Sequence, residues 1–191
     1  MCRMKNAFSE SRELIAILEQ DHIFQKKIDN AAALMIEALN AGNKILWCGN
    51  GGSAADCQHL SAELLAKLNH LRPALASLAL TTDTSFLTAW INDTNHSREL
   101  FSRQIEGLGN EGDIVIAIST SGNSDNILEA VVTAKSNNLN VIVLSGNEGG
   151  KIKGLADVEL IVPSQNTQRI QEMHIIIGHT LCEKIEDAFV K

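Results

Sequence analysis

The chain is 191 residues long and 45% hydrophobic, with a formal net charge of -7 at pH 7. This length holds one domain with a full core, and this composition excludes a disordered chain. An acidic chain without a run of Lys or Arg is poorly equipped to track a nucleic-acid backbone, so an anionic ligand has to be held by hydroxyls and local dipoles.

The N-terminal residues lack a signal-peptide apolar core, and no segment reaches 18 apolar residues. A cytoplasmic protein with no membrane contact is therefore expected. Residues 6–41 contain no Pro or Gly. Leu14, Ile15, Ile17 and Leu18 form one apolar stripe; Ile23, Phe24, Ile28, Ala32, Met35, Ile36 and Leu39 form another. They predict two helices, broken near Asp21 and ended by Gly42. Both are apolar on more than one side, which suits covering a sheet and meeting another subunit. Residues 44–48 read as a buried strand, followed by a Gly-rich turn at 49–53 and a helix over about 54–67. Residues 74–80 read as a second strand. Residues 84–91 and 97–108 read as helices on either side of an Asn92–Asp93 turn, where Asx residues are common for local reasons. Residues 114–118, 140–144 and 158–162 read as three more strands, and 167–189 as a long C-terminal helix. Strands alternating with helices make βαβ units, hence a three-layer αβα sandwich around a five-stranded parallel sheet. No repeat or linker interrupts residues 1–191, so one domain is expected, with residues 1–41 as a helical N-terminal extension. Of the four cysteines, Cys2, Cys48, Cys57 and Cys182, no two form a CxxC pair, and Cys48 and Cys182 are expected as buried small hydrophobes.

The densest chemistry follows the central strand. Ser119, Thr120, Ser121 and Ser124 put four hydroxyls into six residues around Gly122, just before a helix. Unpaired N–H groups and a partial positive charge at a helix N-terminus hold phosphate well. Ser124 acting merely as an N-cap is the plainer account, but a cap does not need that many hydroxyls. The earlier turn, Gly49, Gly51 and Ala54, fits G-x-G-x-x-A, yet residues 69–82 contain no Asp or Glu to end a dinucleotide site. No Gly-Lys-Ser/Thr is present either, so a nucleotide cofactor is not expected. What remains is a turn that admits a polar ligand to Asn50 and Ser53.

On the helix after that turn, His59 and Glu63 are spaced i,i+4 and share a face, which suits two ligands of one metal or an acid–base pair. On the last helix Gln171 and His179 share a face about 12 Å apart along the axis, so one ion reaches both only from between them. His174 is off that line and reads as structural.

Together, CGNGGSAADCQHLSAELL, IND, AISTSGNSDNI and RIQEMH with a His eight residues after the Gln resemble the bacterial phosphoheptose isomerases of the SIS (sugar isomerase) family. The resemblance spans nearly the whole chain, and the motifs stand in the family's order. It implies a flavodoxin-like SIS domain, a phosphorylated seven-carbon sugar as substrate and a homotetramer. It implies that Asn50, Gly51, Gly52, Ser53, Asn92, Asp93, Glu63 and Gln171 bind substrate, and that Ser119, Thr120, Ser121 and Ser124 hold its phosphate. It further implies Glu63 as catalytic base, His179 as its acid–base partner, and one zinc per subunit, at partial to full occupancy, on His59, Glu63, Gln171 and His179. Gln168 departs from the family, where some members carry Asp. The DnaA initiator-associating protein shares the RIQEMH string but not the Glu and His at the positions of Glu63 and His179, so the resemblance favours an enzyme over that regulator. A phosphosugar-sensing module without turnover is the third reading.

Overall fold

The structure, a computed structural model, describes residues 3–190; Cys2 lies outside them. The chain opens with α1 (Arg3–Gln20) and α2 (His22–Asn40). Asp21 separates them: its carboxylate accepts from the N–H groups of Ile23 and Phe24 and caps α2. Gly42, at φ +85°, ends α2 in the left-handed region. Then come β1 (Ile45–Gly49), α3 (Gly52–Leu65), β2 (Ser77–Ala79), α4 (Thr84–Thr94), α5 (Ser102–Leu108), β3 (Ile114–Ser119), α6 (Asp125–Ser136), β4 (Asn140–Gly146), β5 (Val158–Val162) and α7 (Thr167–Phe189).

The five strands form one parallel sheet in the order β2-β1-β3-β4-β5. Every residue of β1 and β3 is buried, because helices cover both faces. On one face Ile45, Trp47, Ile114, Ile116 and Ile118 pack with α2, α3 and α7; on the other Leu46, Cys48, Val115 and Ala117 pack with α5 and α6. This alternation is the period of two that a strand imposes. The chain leaves β1 outward to β2 and returns to β3 on β1's other side. That puts the switch point at the C-terminal ends of β1 and β3, the place where ligands bind in doubly wound sheets.

The three-layer, five-stranded parallel architecture is the one expected, with differences at element ends. The strand expected at 74–80 is paired only over Ser77–Ala79, since it lies at the sheet edge against β1 alone. The helix expected over 97–108 splits into a 3₁₀ turn at Ser97–Glu99 and α5, because the chain dips to bury Phe101 and Ile105 in the core. Asn92 and Asp93 are not in a turn: they complete the last turn of α4, and the left-handed residue that stops the helix is Asn95.

Candidate active site

The first part of the site is local to β3 and α6. Gly122, at φ +64°, makes the turn, and a side chain there would collide with the backbone of Gly149. The turn is braced by Ile152 N–H donating to Gly122 O and by Lys151 N–H donating to Asn123 Oδ1. Ser119 and Ser124 hydroxyls lie 3.3 Å apart, and Ser121 Oγ accepts from the N–H of Asn123. Ser124 occupies the N-cap position of α6, yet its side chain makes no capping bond. The hydroxyl therefore stays turned toward Ser119, beside the first N–H groups of α6, which have no partner within the helix. Hydroxyls grouped at a helix N-terminus are an arrangement that suits an anion.

The second part is the turn between β1 and α3. Gly51 has φ +55°, and Ser53 is buried under the turn. Asn50 and Asn126 exchange two amide hydrogen bonds, 2.8 and 2.9 Å, which tie this turn to the first turn of α6. Gly52 leaves room for Gln171: a Cβ there would stand 2.7 Å from the Gln171 amide nitrogen.

The third part lies further along α3, where α7 packs against it. Contact is close because Gly178 leaves its side-chain space to Leu60. His59 Nε2 and His179 Nε2 are 3.0 Å apart, and His59 Nε2 is 3.2 Å from Glu63 Oε1. Donor atoms of His59, Glu63 and His179 all fall within 4.8 Å of one another. The two separations made by His59, 3.0 and 3.2 Å, are close to the edge of a zinc tetrahedron, roughly 3.3 Å for bonds of 2.0–2.1 Å. The donor set fits zinc. Glu63 Oε2 makes no hydrogen bond among the described residues, so one oxygen is free for chemistry while the other faces His59.

The SIS-domain family matches residues 9–146. The phosphoheptose isomerase of Paramagnetospirillum magneticum is 57% identical over 151 residues, 79% of this chain and 78% of that protein. That of Campylobacter jejuni is 51% identical over 180 residues, 94% of this chain and 96% of the relative. This chain belongs to the phosphoheptose isomerases of the SIS-domain family. The solved phosphoheptose isomerase of Neisseria gonorrhoeae overlays with a TM-score of 0.87 at 43% identity, covering 97% of both chains.

Within this phosphoheptose isomerase scaffold, not every residue expected at the site stands at the cluster. Gln171 rests against Gly52, seven residues before His59 on α3 and so about 10 Å up the helix. Asn92 and Asp93 are exposed, bonded to each other, on a helix with no buried residue. Gln168 is exposed in the first turn of α7, where its N–H is capped by Asn166. His174 is fully buried, 3.0 Å from Ser145 O through Nε2, and burial depresses its pKa to about 4. Burial pushes the Cys48 and Cys182 thiols up to about 12, which makes them inert packing groups.

Asp56 is the residue that sequence reasoning missed. It sits three residues before His59 and seven before Glu63, on the same face of α3. Its Oδ2 is buried without a hydrogen-bond partner. Burial raises its pKa, and nearby His59 and His179 pull it partly back. The i, i+3, i+7 spacing of Asp56, His59 and Glu63 was the available signal.

Proposed function

We propose that the chain converts sedoheptulose 7-phosphate into D-glycero-D-manno-heptose 7-phosphate, feeding activated heptose into lipopolysaccharide core or another surface glycan. The observation that carries this reading is the convergence of His59, Glu63 and His179, from two helices 120 residues apart, in a phosphoheptose isomerase scaffold. The substrate phosphate sits on Ser119, Thr120, Ser121 and Ser124 and the N-terminus of α6. Asn50, Gly51, Gly52, Ser53, Asn92, Asp93 and Gln171 serve the sugar hydroxyls. Binding of the remote phosphate is spent on holding C1 and C2 against the catalytic groups.

Glu63 takes the proton from C1; the C–H electron pair forms the C1–C2 double bond, and the carbonyl oxygen at C2 gains the negative charge. His179 carries a proton from the hydroxyl at C1 to the oxygen at C2. The proton returns to C2 and leaves an aldehyde at C1. His59, Glu63 and His179 would hold zinc, one per subunit, at partial to full occupancy, with Gln171 as fourth ligand once its amide leaves Gly52. The ion supplies positive charge for the oxygen that becomes anionic.

A homotetramer is part of this reading. α4 has no buried residue; it leaves Ile91 exposed and Phe86 and Trp90 only half-buried. A groove of about 400 Å³ between α1, α2 and α7 is lined by Ile15, Leu18, Phe24, Ile28 and Ile176. Both surfaces suit other copies of the chain, and α4 would then bring Asn92 and Asp93 to a neighbour's site. Residues 1–191 act as a single SIS domain with a helical N-terminal extension over about 1–41, in the cytoplasm. Among the described residues no helix is long and apolar enough to cross a membrane.

Purified protein incubated with sedoheptulose 7-phosphate, with and without zinc, should form aldose. Binding without turnover under both conditions would replace this reading with a phosphosugar sensor. Binding of neither sugar nor phosphate would leave the regulator of the initiator-associating type.

A further inference from the structure

We propose that Arg72 and Glu186 are positioning residues for the His59–Glu63–His179 cluster, acting through the backbone of Glu63; this rests on the isomerase reading above. α3 ends at Leu65, so the carbonyls of its last turn lack helical partners. Arg72 supplies two: Nη2 donates to Glu63 O at 2.7 Å, and Nη1 donates to Leu64 O at 2.8 Å. The same guanidinium pairs with Glu186 by charge, its Nε 3.4 Å from Oε1 without a hydrogen bond, and both side chains are at most 1% exposed.

Glu186 stands on α7 seven residues after His179, about two turns along the same helix. It accepts from the N–H groups of Leu68, Asn69 and His70 at 2.9, 2.6 and 3.0 Å. Burial works to raise its pKa, but those three donors and Arg72 outweigh it and hold the carboxyl below the usual range. One carboxylate on α7 thus gathers the chain that leaves α3, and one guanidinium passes that anchor back to the carbonyl of Glu63.

A charge pair this deep returns little net stability, because desolvation offsets most of its attraction. Its distinctive product is geometry. The planar fork of Arg fixes two adjacent carbonyls at once, which a Lys ammonium does not do. The fork sets how α3 is rotated and advanced along α7, and with it the separation of His59 and Glu63 from His179. Outer partners that orient metal ligands commonly contribute 10–100-fold in metal affinity or activity.

The test is Arg72→Lys and Glu186→Gln in the full-length protein, with three readouts: zinc affinity by chelator competition, inorganic phosphate affinity, and kcat and KM for sedoheptulose 7-phosphate. Expected are zinc binding about 10–100-fold weaker and a kcat lowered to a similar extent, with phosphate affinity and KM near wild type. Among the described residues no hydrogen bond or ion pair joins Arg72 to the loop after β3, so phosphate affinity reports on general loosening. Parallel loss of phosphate and zinc binding would assign the pair a merely structural role and overturn the proposal. So would wild-type zinc affinity and kcat in both variants. If Arg72→Lys does not fold, Glu186→Gln carries the same readouts, since it keeps the shape and an acceptor oxygen. Wild-type protein that neither binds zinc nor turns over substrate overturns the isomerase reading and this inference together. An active wild type matched by its variants overturns the inference alone.

Discussion

The hydroxyl cradle after β3 and the His59–Glu63–His179 cluster are built in opposite ways. The cradle is one stretch, Ser119 to Asn126, shaped by a positive-φ glycine and braced by backbone hydrogen bonds. The cluster is made of side chains that meet only because α3 and α7 lie side by side, with Gly178 ceding space to Leu60. A site made from local backbone tolerates shifts of its neighbours. A site made between helices does not, because a helix displacement moves each ligand by a different amount. Binding and chemistry should therefore fail separately when the two regions are altered one at a time.

The largest separation should come from Glu63→Gln. Gln keeps the shape but takes no proton at useful pH, so turnover should fall roughly 10²–10⁴-fold while inorganic phosphate binds as before. Near-wild-type turnover would remove Glu63 as the base and leave His179 in its place. The converse is Ser124→Ala. It should weaken sugar-phosphate binding by roughly 1.5–3 kcal/mol, the value of a charge-assisted hydrogen bond, with zinc affinity unchanged. Unaltered affinity by calorimetry would reduce Ser124 to a helix-start residue.

Smaller, and aimed at the seam between helices, is Gly178→Ala. Its methyl collides with Leu60, and overpacking of this kind costs about 1–3 kcal/mol. Melting temperature, zinc affinity and kcat should drop together, and phosphate affinity should hold. A variant with unchanged zinc affinity would show that α3 and α7 are free to part without disturbing the cluster.

The smallest effect on the site itself belongs to His174, which acts on stability instead. Its folded pKa of about 4 lies below the ordinary 6.5, so the unfolded chain takes up a proton between these values and the folded one does not. Stability from the buried neutral ring is full above pH 6.5 and is lost as pH falls toward 4, by about 3 kcal/mol in all. His174→Gln should flatten that part of the stability–pH curve and lower stability at neutral pH, since the ring is fully buried. A curve parallel to wild type would place the acid sensitivity elsewhere.

The same contrast governs how much was legible beforehand. The cradle is written in consecutive letters, so its residues, its strand and its helix were all readable. The five strands and their parallel direction followed from the alternation of apolar runs and helical stripes, whereas their order in the sheet did not. His59 and Glu63 were readable as a pair because four residues is one helical turn. That His179 joins them came from the family resemblance and not from spacing: helical spacing names a face but not the height at which a second helix meets it. The same limit explains Gln171, which shares the face of His179 but is taken up by Gly52 at the start of α3. Asp56 was passed over because an Asp on a polar helix reads as solvated until a neighbouring helix buries one of its oxygens. Asn92 and Asp93 looked like a turn because Asx residues favour turns, yet α4 runs through them to a left-handed Asn95.

The edge strand β2 has a consequence for how the molecule opens. Only Ser77, Leu78 and Ala79 are paired there, to β1 alone, and the chain passes next into α4, none of whose residues is buried. Segments with so little buried surface open at a small fraction of the global unfolding free energy. Amide protons of residues 84–94 should exchange with solvent deuterium long before those of β1, β3 and β4, which wait for the whole sheet to come apart. A protease offered the isolated chain should nick it first between residues 81 and 100. Asn92 and Asp93 thus ride on the segment that costs least to move, while the hydroxyls and imidazoles sit on the part that costs most.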